Sequence, residues 1–501
     1  MSIAQPNHHG KPEELLQQLT AARDFVQAAA RAGTPAHEVE RELWQRVLRL
    51  GRQLLGEFFA ALGTGDQGEV VTLPDGQVCQ RLAELHRRRY VSIFGAFALQ
   101  RTAYGSREKQ EIAFVPLDNR LQLPASPFSY VLQDWDQALC VEQAFGQVET
   151  TVSRMLGLKQ SVDSLEQMNR AMAQDATPYR LNRPLPPPEE EGEIFVAGAD
   201  GKGVVMRRDA DAPPPPAYRS KGEKASQKRM ATVGAIYSVD RYVRTAEEVV
   251  AALFRDPGEK PPPRPVPCHK QVWASLPAED PEPVSGMEAA YVWLLWELAR
   301  RNPGQAKETV YLHDGQESLW AARQQYLPGK NAVEVLELLH VTPRLWQAAH
   351  VFHPEGSAEA EGFVRERLLR VLQGKGAGVI RGLREMASKR GLRGSKRQAL
   401  ARVCAFLEKN LSRMRYDEYL AAGYPIASGV IEGACRHVVK DRLERAGMHW
   451  TRAGAEAMLE VRSIYASGHW EEYQEYRIEC ETQRLYPHRD VIGGGKYRMA
   501  G

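Results

Sequence analysis

The sequence has no run of about eighteen apolar residues, the least a bilayer-crossing helix needs. Its most apolar stretch, 287–299 (MEAAYVWLLWELA), is shorter and carries Glu288 and Glu297, so it reads as a buried helix. The N-terminus lacks the apolar core of a signal peptide. No membrane association is expected. Cysteine is scarce and scattered, at 79, 140, 268, 404, 435 and 480, with no Cys-x-x-Cys pair. Neither a zinc ribbon nor a disulfide framework follows, and thiols kept reduced in a cytoplasm are expected. Charge of one sign is also missing in bulk, for the net value is only +3. A polyanionic partner would have to be met by locally clustered cations. No internal repeat is visible.

What is present is 501 residues, 43% hydrophobic and 26% charged, enough for roughly two to four ordinary domains. Residues 1–65 show helical spacing: Leu15, Leu16, Leu19, Phe25 and Val26, then Leu43, Val47, Leu50, Leu54, Phe58 and Leu62, with Gly33-Thr34-Pro35 between the two sets. Residues 66–127 turn β-rich, with a Pro74-Asp75-Gly76 turn signal and strand candidates in RYVSIFGAFALQRTAYG and QEIAFVPLD. Residues 128–181 return to helices. Phe145, Val148, Val152, Met155 and Leu156 form one stripe, Gly157 can close that helix, and Ser161 can cap the next. Helix, tight turn, helix is the layout of a helix-turn-helix DNA reader, and equally of a plain helical hairpin.

Residues 182–192 (NRPLPPPEEEG) predict a stiff polar linker, and APPPP (212–216) and GEKPPPRPVP (258–267) predict surface loops. Beyond the linker, strands and helices alternate over 193–342 and helices resume over 423–470. Strand candidates are EIFVAGAD, RMATVGAIYSV, TVYLHDG and NAVEVLELLH, the last of which would also suit a helix. Residues 343–422 read as helical throughout, and 471–501 as a C-terminal tail.

Three acids carry the chemistry. Asp200 and Asp314 each end an apolar strand and precede glycine, which exposes a carboxylate at a sheet rim and lets substrate approach the backbone. If the strands are neighbours, the two can share a hard divalent cation, which takes oxygen ligands. A third acid from a helix is Glu432, in Ser428-Gly429-Val430-Ile431-Glu432, with Pro425 before it and Ser428 as cap. Helical spacing aligns Glu432, Arg436 and Lys440, and Arg442 and Arg445 add charge nearby. Each acid alone also suits a turn or a first-turn glutamate; the ordered set is what points to chemistry. His313 reads as packed, Cys435 as a small buried helix residue, and His340 and His350 as structural. Basic clusters at 218–230 and 381–397 read as solvated faces or as phosphate contacts.

With these residues in hand, the chain resembles the ISKra-type insertion-sequence transposases, a group of bacterial DDE enzymes. The resemblance runs from FVPLDNRLQLP and FSYVLQDWDQALCVEQAFGQV, through VAGADGKG, KRMATVGAIYSVD and LHDGQESLW, to IASGVIEGACRHVVKDRLERAGMHW. It implies an α/β RNase H-like core, a mixed sheet flanked by helices, with the first two aspartates side by side and an all-helical insertion before the last acid. A helical and β N-terminal region with a helix-turn-helix would precede that core. It implies catalytic and metal-binding roles for Asp200, Asp314 and Glu432 with two Mg2+ or Mn2+ ions. DNA contacts are expected from Lys202, Lys228, Arg229, Arg436, Lys440 and Arg442. The expected substrate is double-stranded DNA, both terminal inverted repeats and target. The expected setting is the bacterial cytoplasm, on the nucleoid, as a homo-oligomer when ends are bound. Relatives can carry paired cysteines near the N-terminal strands; here Cys79 stands alone, and no zinc follows. The step after the second acid reads Glu337-Leu338-Leu339-His340, a glutamate where the resemblance implies an aspartate.

The alternatives are a catalytically silent, domesticated transposase acting as a sequence-specific DNA-binding regulator, a plain RNase H-like nuclease or resolvase, and a two-carboxylate glycosidase working without metal.

Overall fold

The computed structural model describes residues 12–106, 111–207, 228–256, 263–278, 283–327, 329, 332–427, 429–445 and 447–487. The proline loop at 212–216, the cap residue Ser428 and most of the 218–230 cluster lie outside them. The chain forms two compact units, Met1–Asp175 with Trp470–Gly501, and Ala176–His469. Among the described residues no helix is long and apolar enough to cross a membrane.

The first unit opens with helices Pro12–Ala32 and Ala36–Leu62, joined through Gly33 at φ 67. Their apolar rows are largely uncovered: Leu16, Leu19, Val26, Val47, Leu54 and Phe58 are exposed. Six short strands follow: β1 (Val70–Thr72), β2 (Val78–Arg81), β3 (His86–Ser92), β4 (Gly95–Arg101), β5 (Tyr104–Ser106) and β6 (Glu111–Phe114). They form an antiparallel sheet β1-β2-β5-β6 and a separate β3-β4 hairpin. The Pro74-Asp75-Gly76 signal is a tight turn: the Gly76 amide donates to the Leu73 carbonyl and the Gln77 amide to Asp75 Oδ1.

Helices Tyr130–Cys140, Phe145–Leu156 and Val162–Ala173 come next. Gly157 closes the middle one at φ 67, and Ser161 accepts from the Ser164 amide to start the third, as their sequence positions predict. The segment expected to be a tail begins instead as a helix, Trp470–Leu485. It is held by Trp470 Nε1 donating to Asp134 (2.7 Å), Arg477 to Gln133 (3.2 Å) and Arg484 to Asp175 (2.6 Å).

The second unit is built on a mixed five-stranded sheet of β7 (Ile194–Val205), β8 (Lys228–Val239), β9 (Cys268–Ser275), β10 (Thr309–His313) and β11 (Ala332–Leu336). The order is β11-β10-β7-β8-β9; β7, β8 and β9 are antiparallel, whereas β10 and β11 run parallel to β7. Side chains alternate between the faces of a strand. Phe195, Ala197 and Ala199 therefore enter one core, with Tyr291, Trp293, Leu294 and Leu298 of helix Gly286–Arg301 and Leu319 of helix Glu317–Tyr326. Gly198 and Asp200 face the other way, where Ile431 lies against Gly198.

The expected linker is pinned into this unit. Both guanidinium-carboxylate pairs around it are buried: Arg183 with Glu297 (2.7 Å), and Arg301 with Glu191 (2.7 Å). Five helices separate β11 from the Glu432 segment: Leu338–Phe352, Ala358–Leu372, Gly376–Lys389, Gly394–Lys409 and Tyr416–Ala421. The ambiguous NAVEVLELLH stretch is both things in turn. It is strand to Leu336, then helix from Leu338, with the Glu337 amide donating to the His313 carbonyl.

Candidate active site

Asp200 stands where β7 leaves its partner β10. Pairing with β10 ends at Ala197↔Tyr311, while pairing with β8 continues through Asp200↔Val233 to Val205↔Lys228. The strand thus does not end at the carboxylate, as the sequence suggested; it runs on through Gly201-Lys202-Gly203 because β8 still supplies backbone partners. Residues 194–199 are buried, and exposure begins at Asp200, whose side chain is 19% exposed. Its Oδ1 accepts from the Gly201 amide (2.6 Å), and its Oδ2 lies 3.4 Å from Lys202 Nζ.

Asp314 follows the last residue of β10. Its Oδ1 accepts from the Gln316 amide at 2.8 Å, and Gly315, at φ 90, makes the turn into helix Glu317–Tyr326. The parallel register Thr309↔Phe195, Val310↔Val196, Tyr311↔Ala197 stops three residues short of both Asp314 and Asp200, so both acids follow the same stretch of paired strand.

Glu432 lies in helix Gly429–Ala434, packed over the Asp200 face of the sheet through Ile431 and Gly198. One turn on, Cys435 is fully buried beside Asp200, and burial followed by the Asp200 carboxylate pushes its thiol far up. It is no nucleophile, in keeping with its sequence reading. Lys202 feels both acids: burial works against its charge, yet Asp200 and Glu432 together raise its pKa.

Two further groups enter this site that side-chain pattern alone did not flag. Glu337, almost fully buried, and His340 stand on the first turn of helix Leu338–Phe352. His340 Nε2 is 3.5 Å from Glu337 Oε2 and 3.4 Å from Glu432 Oε1. The hydrogen bond to Glu337, opposed by burial and assisted by the charges of Glu337, Asp314 and Glu432, raises the imidazole pKa. By contrast His313 is core: it is buried, its ring stacks on Trp320, its Nε2 meets Tyr291 Oη at 2.6 Å, and burial lowers its pKa to about 4.

The expected DNA-contacting cations separate. Lys202 is in the site. Lys228 pairs with Glu444, and Arg229 is half-buried at the start of β8. Arg436 and Lys440 are exposed, but the helix widens to a π turn over Cys435–Lys440, so Arg436 reaches Asp441 five residues on (3.3 Å). The expected Glu432–Arg436–Lys440 stripe is broken there. Arg442 is fully buried, with Nη1 donating to Met448 Sδ (3.2 Å) and its guanidinium over Trp450. It cannot reach a phosphate, which corrects the expectation that it touches DNA.

No family model matches the chain, and no curated protein matches it. Among solved structures it is similar to one described as the Drosophila P element transposase strand transfer complex, at a TM-score of 0.25 and 10% identity, covering 76% of this chain and 91% of that chain.

Proposed function

We propose that this protein is a DDE transposase, cleaving and joining the DNA ends of an insertion sequence in a metal-dependent manner, with Asp200, Asp314 and Glu432 as its catalytic acids. What supports the reading is where the elements carry these acids: Asp200 on β7, Asp314 just after the adjacent parallel strand β10, and Glu432 on a helix packed against β7 through Ile431 and Gly198. A mixed sheet with Asp200 on one strand and Asp314 just after its parallel neighbour, and a five-helix segment before the glutamate, also support the RNase H-like reading of the core.

The donor set fits magnesium or manganese, because hard divalent cations take carboxylate oxygens and these acids are partly exposed. Two bound ions would supply charge neutralisation for both the attacking and the leaving oxygen of an in-line phosphodiester displacement. The protein's part is positioning. β7 carries Asp200, and the adjacent parallel strand β10 leads into Asp314. Ile431 seated on Gly198 fixes the Glu432 helix, and Lys202 offers a cation for a phosphate oxygen at the same edge. Terminal inverted repeats would be held by the helices of 128–181. Pairing of two ends by two copies is supported by the uncovered apolar rows of the N-terminal helices.

The test is cleavage of DNA carrying the native element ends, with magnesium or with EDTA. Wild type is expected to cut only with metal. Asp200→Ala, Asp314→Ala and Glu432→Ala should each lose at least a thousand-fold in rate while still binding ends. Specific binding without cleavage by wild type would replace this reading with that of a DNA-binding regulator.

A further inference from the structure

A second constellation shares Glu432 but not the two aspartates. The three donor atoms of Glu337, His340 and Glu432 lie within 4.8 Å of one another. Two edges of this triangle, 3.4 and 3.5 Å, meet at His340 Nε2. A four-coordinate cation with bonds of about 2.0–2.1 Å spaces its ligand atoms by roughly 3.4 Å, so these edges already match one. The parts come from two separate helices. Glu337 is anchored by its amide to the end of β10, His340 sits one turn along the same helix face, and Glu432 comes from a separate helix. Three protein ligands leave a fourth position open.

The donor chemistry differs from that of the aspartate pair. An imidazole nitrogen is a poor ligand for magnesium but a good one for zinc, copper, iron and nickel dications, and of these zinc takes the tetrahedral geometry that these edges match. We infer that Glu337, His340 and Glu432 form a mixed nitrogen-oxygen site for a transition-metal dication, with Zn2+ its best fit. The inference deepens the reading above. It rests on that reading only for the consequence that a metal held here engages Glu432, whereas the binding itself rests on the three side chains. A filled site holds Glu432 at His340, so Zn2+ competes with magnesium-supported cleavage.

The test uses the full chain. Zn2+ is titrated against a chromophoric chelator, and Co2+ substitution is followed by its visible spectrum. Wild type is expected to bind Zn2+ with a Co2+ spectrum that lacks thiolate charge transfer. His340→Ala and Glu337→Gln should each weaken Zn2+ binding at least ten-fold, while Asp200→Ala leaves it intact. Unchanged binding in both His340→Ala and Glu337→Gln overturns the site. So does no binding by wild type, or a Co2+ spectrum with thiolate bands, which would assign the metal to cysteine. Asp200→Ala separates the two ideas: full cleavage with Zn2+ binding retained would sink the DDE reading and leave this site standing.

Discussion

At the scale of single residues, the site depends on a side chain that is not there. A Cβ on Gly198 would lie 2.1 Å from Ile431 Cδ1 and 2.4 Å from the Leu312 carbonyl oxygen. The first atom belongs to a side chain that can turn; the second is backbone of the neighbouring strand and cannot move without parting β7 from β10. Gly198→Ala is therefore expected to cost about 1–3 kcal/mol, the usual range for overpacking, and, if the proposed function holds, to suppress cleavage by shifting β10 and the Glu432 helix relative to Asp200. Denaturant midpoints read the first effect. Gly382→Ala, in a helix with open space around it, is the control and should be neutral or slightly stabilising. Equal midpoints for Gly198→Ala and wild type would show that the strands can accommodate the methyl group. Asp314 follows its strand as the sequence suggests, whereas Asp200 lies inside β7, which local pattern did not show because β8 supplies the backbone partners that carry the strand on to Val205. Arg442 was misread because spacing counts charges along a helix without showing which side the neighbouring Trp450 covers. His340 was missed as a site group because its partners stand three and ninety-two positions away in the chain.

At the scale of elements, local signals held where a local cause suffices. Gly157, Ser161 and the Pro74-Asp75-Gly76 turn do what their backbone chemistry dictates. The linker reading failed for a non-local reason: Arg183 and Glu191 look like solvated linker residues until Glu297 and Arg301 arrive from a helix more than a hundred residues later. The π turn at Cys435–Lys440 likewise has no sequence mark. Helix Tyr130–Cys140 carries another such buried group, with a measurable consequence. Asp136 is wholly buried, accepts from Gln160 Nε2, and is pushed by burial to about 7. Its folded-state pKa thus exceeds the unfolded value of about 3.9, so the folded state holds the proton more tightly. The stability this contributes is full below about pH 4 and is lost as pH rises through about 7. Asp136→Asn keeps the shape and removes the charge. It is expected to stabilise by up to about 4 kcal/mol at pH 8, with the gain shrinking toward pH 4, as thermal melts across that range would read. A destabilised variant at pH 8 would mean that the carboxylate is held ionised.

At the scale of the whole molecule, near-neutral charge decides where a polyanion can be gripped. Lysine and arginine number 66 against 63 acids, so no long-range field draws DNA in. Many of the arginines are also spent inside the units, Arg183, Arg301, Arg442 and Arg477 among them. One place breaks the balance. Helices Gly376–Lys389 and Gly394–Lys409 meet at a turn where Gly391 and Gly394 both take φ 57. Around it Lys389, Arg390, Arg393, Lys396 and Arg397 are all exposed, and no acid occurs from Met386 to Leu407. Lys389, Arg393, Lys396 and Arg397 have no ion-pair partner among the described residues, unlike Arg384, which pairs with Glu408. If the protein joins DNA strands, this turn is the part of the helical segment suited to the phosphate backbone. Replacing those four cations with glutamine should leave folding unchanged, since none is packed. It should weaken DNA binding at least ten-fold near physiological salt. The slope of log affinity against log salt should fall by about 0.9 for each phosphate that is no longer neutralised. Filter binding of end-bearing and unrelated duplexes across a salt series reads both. A parallel weakening on the two duplexes marks a backbone grip that positions DNA without reading it. An unchanged slope would leave the turn a solvated tip, and the grip of the second unit on DNA would then fall to Lys202, Arg436 and Lys440 at the edge of the site.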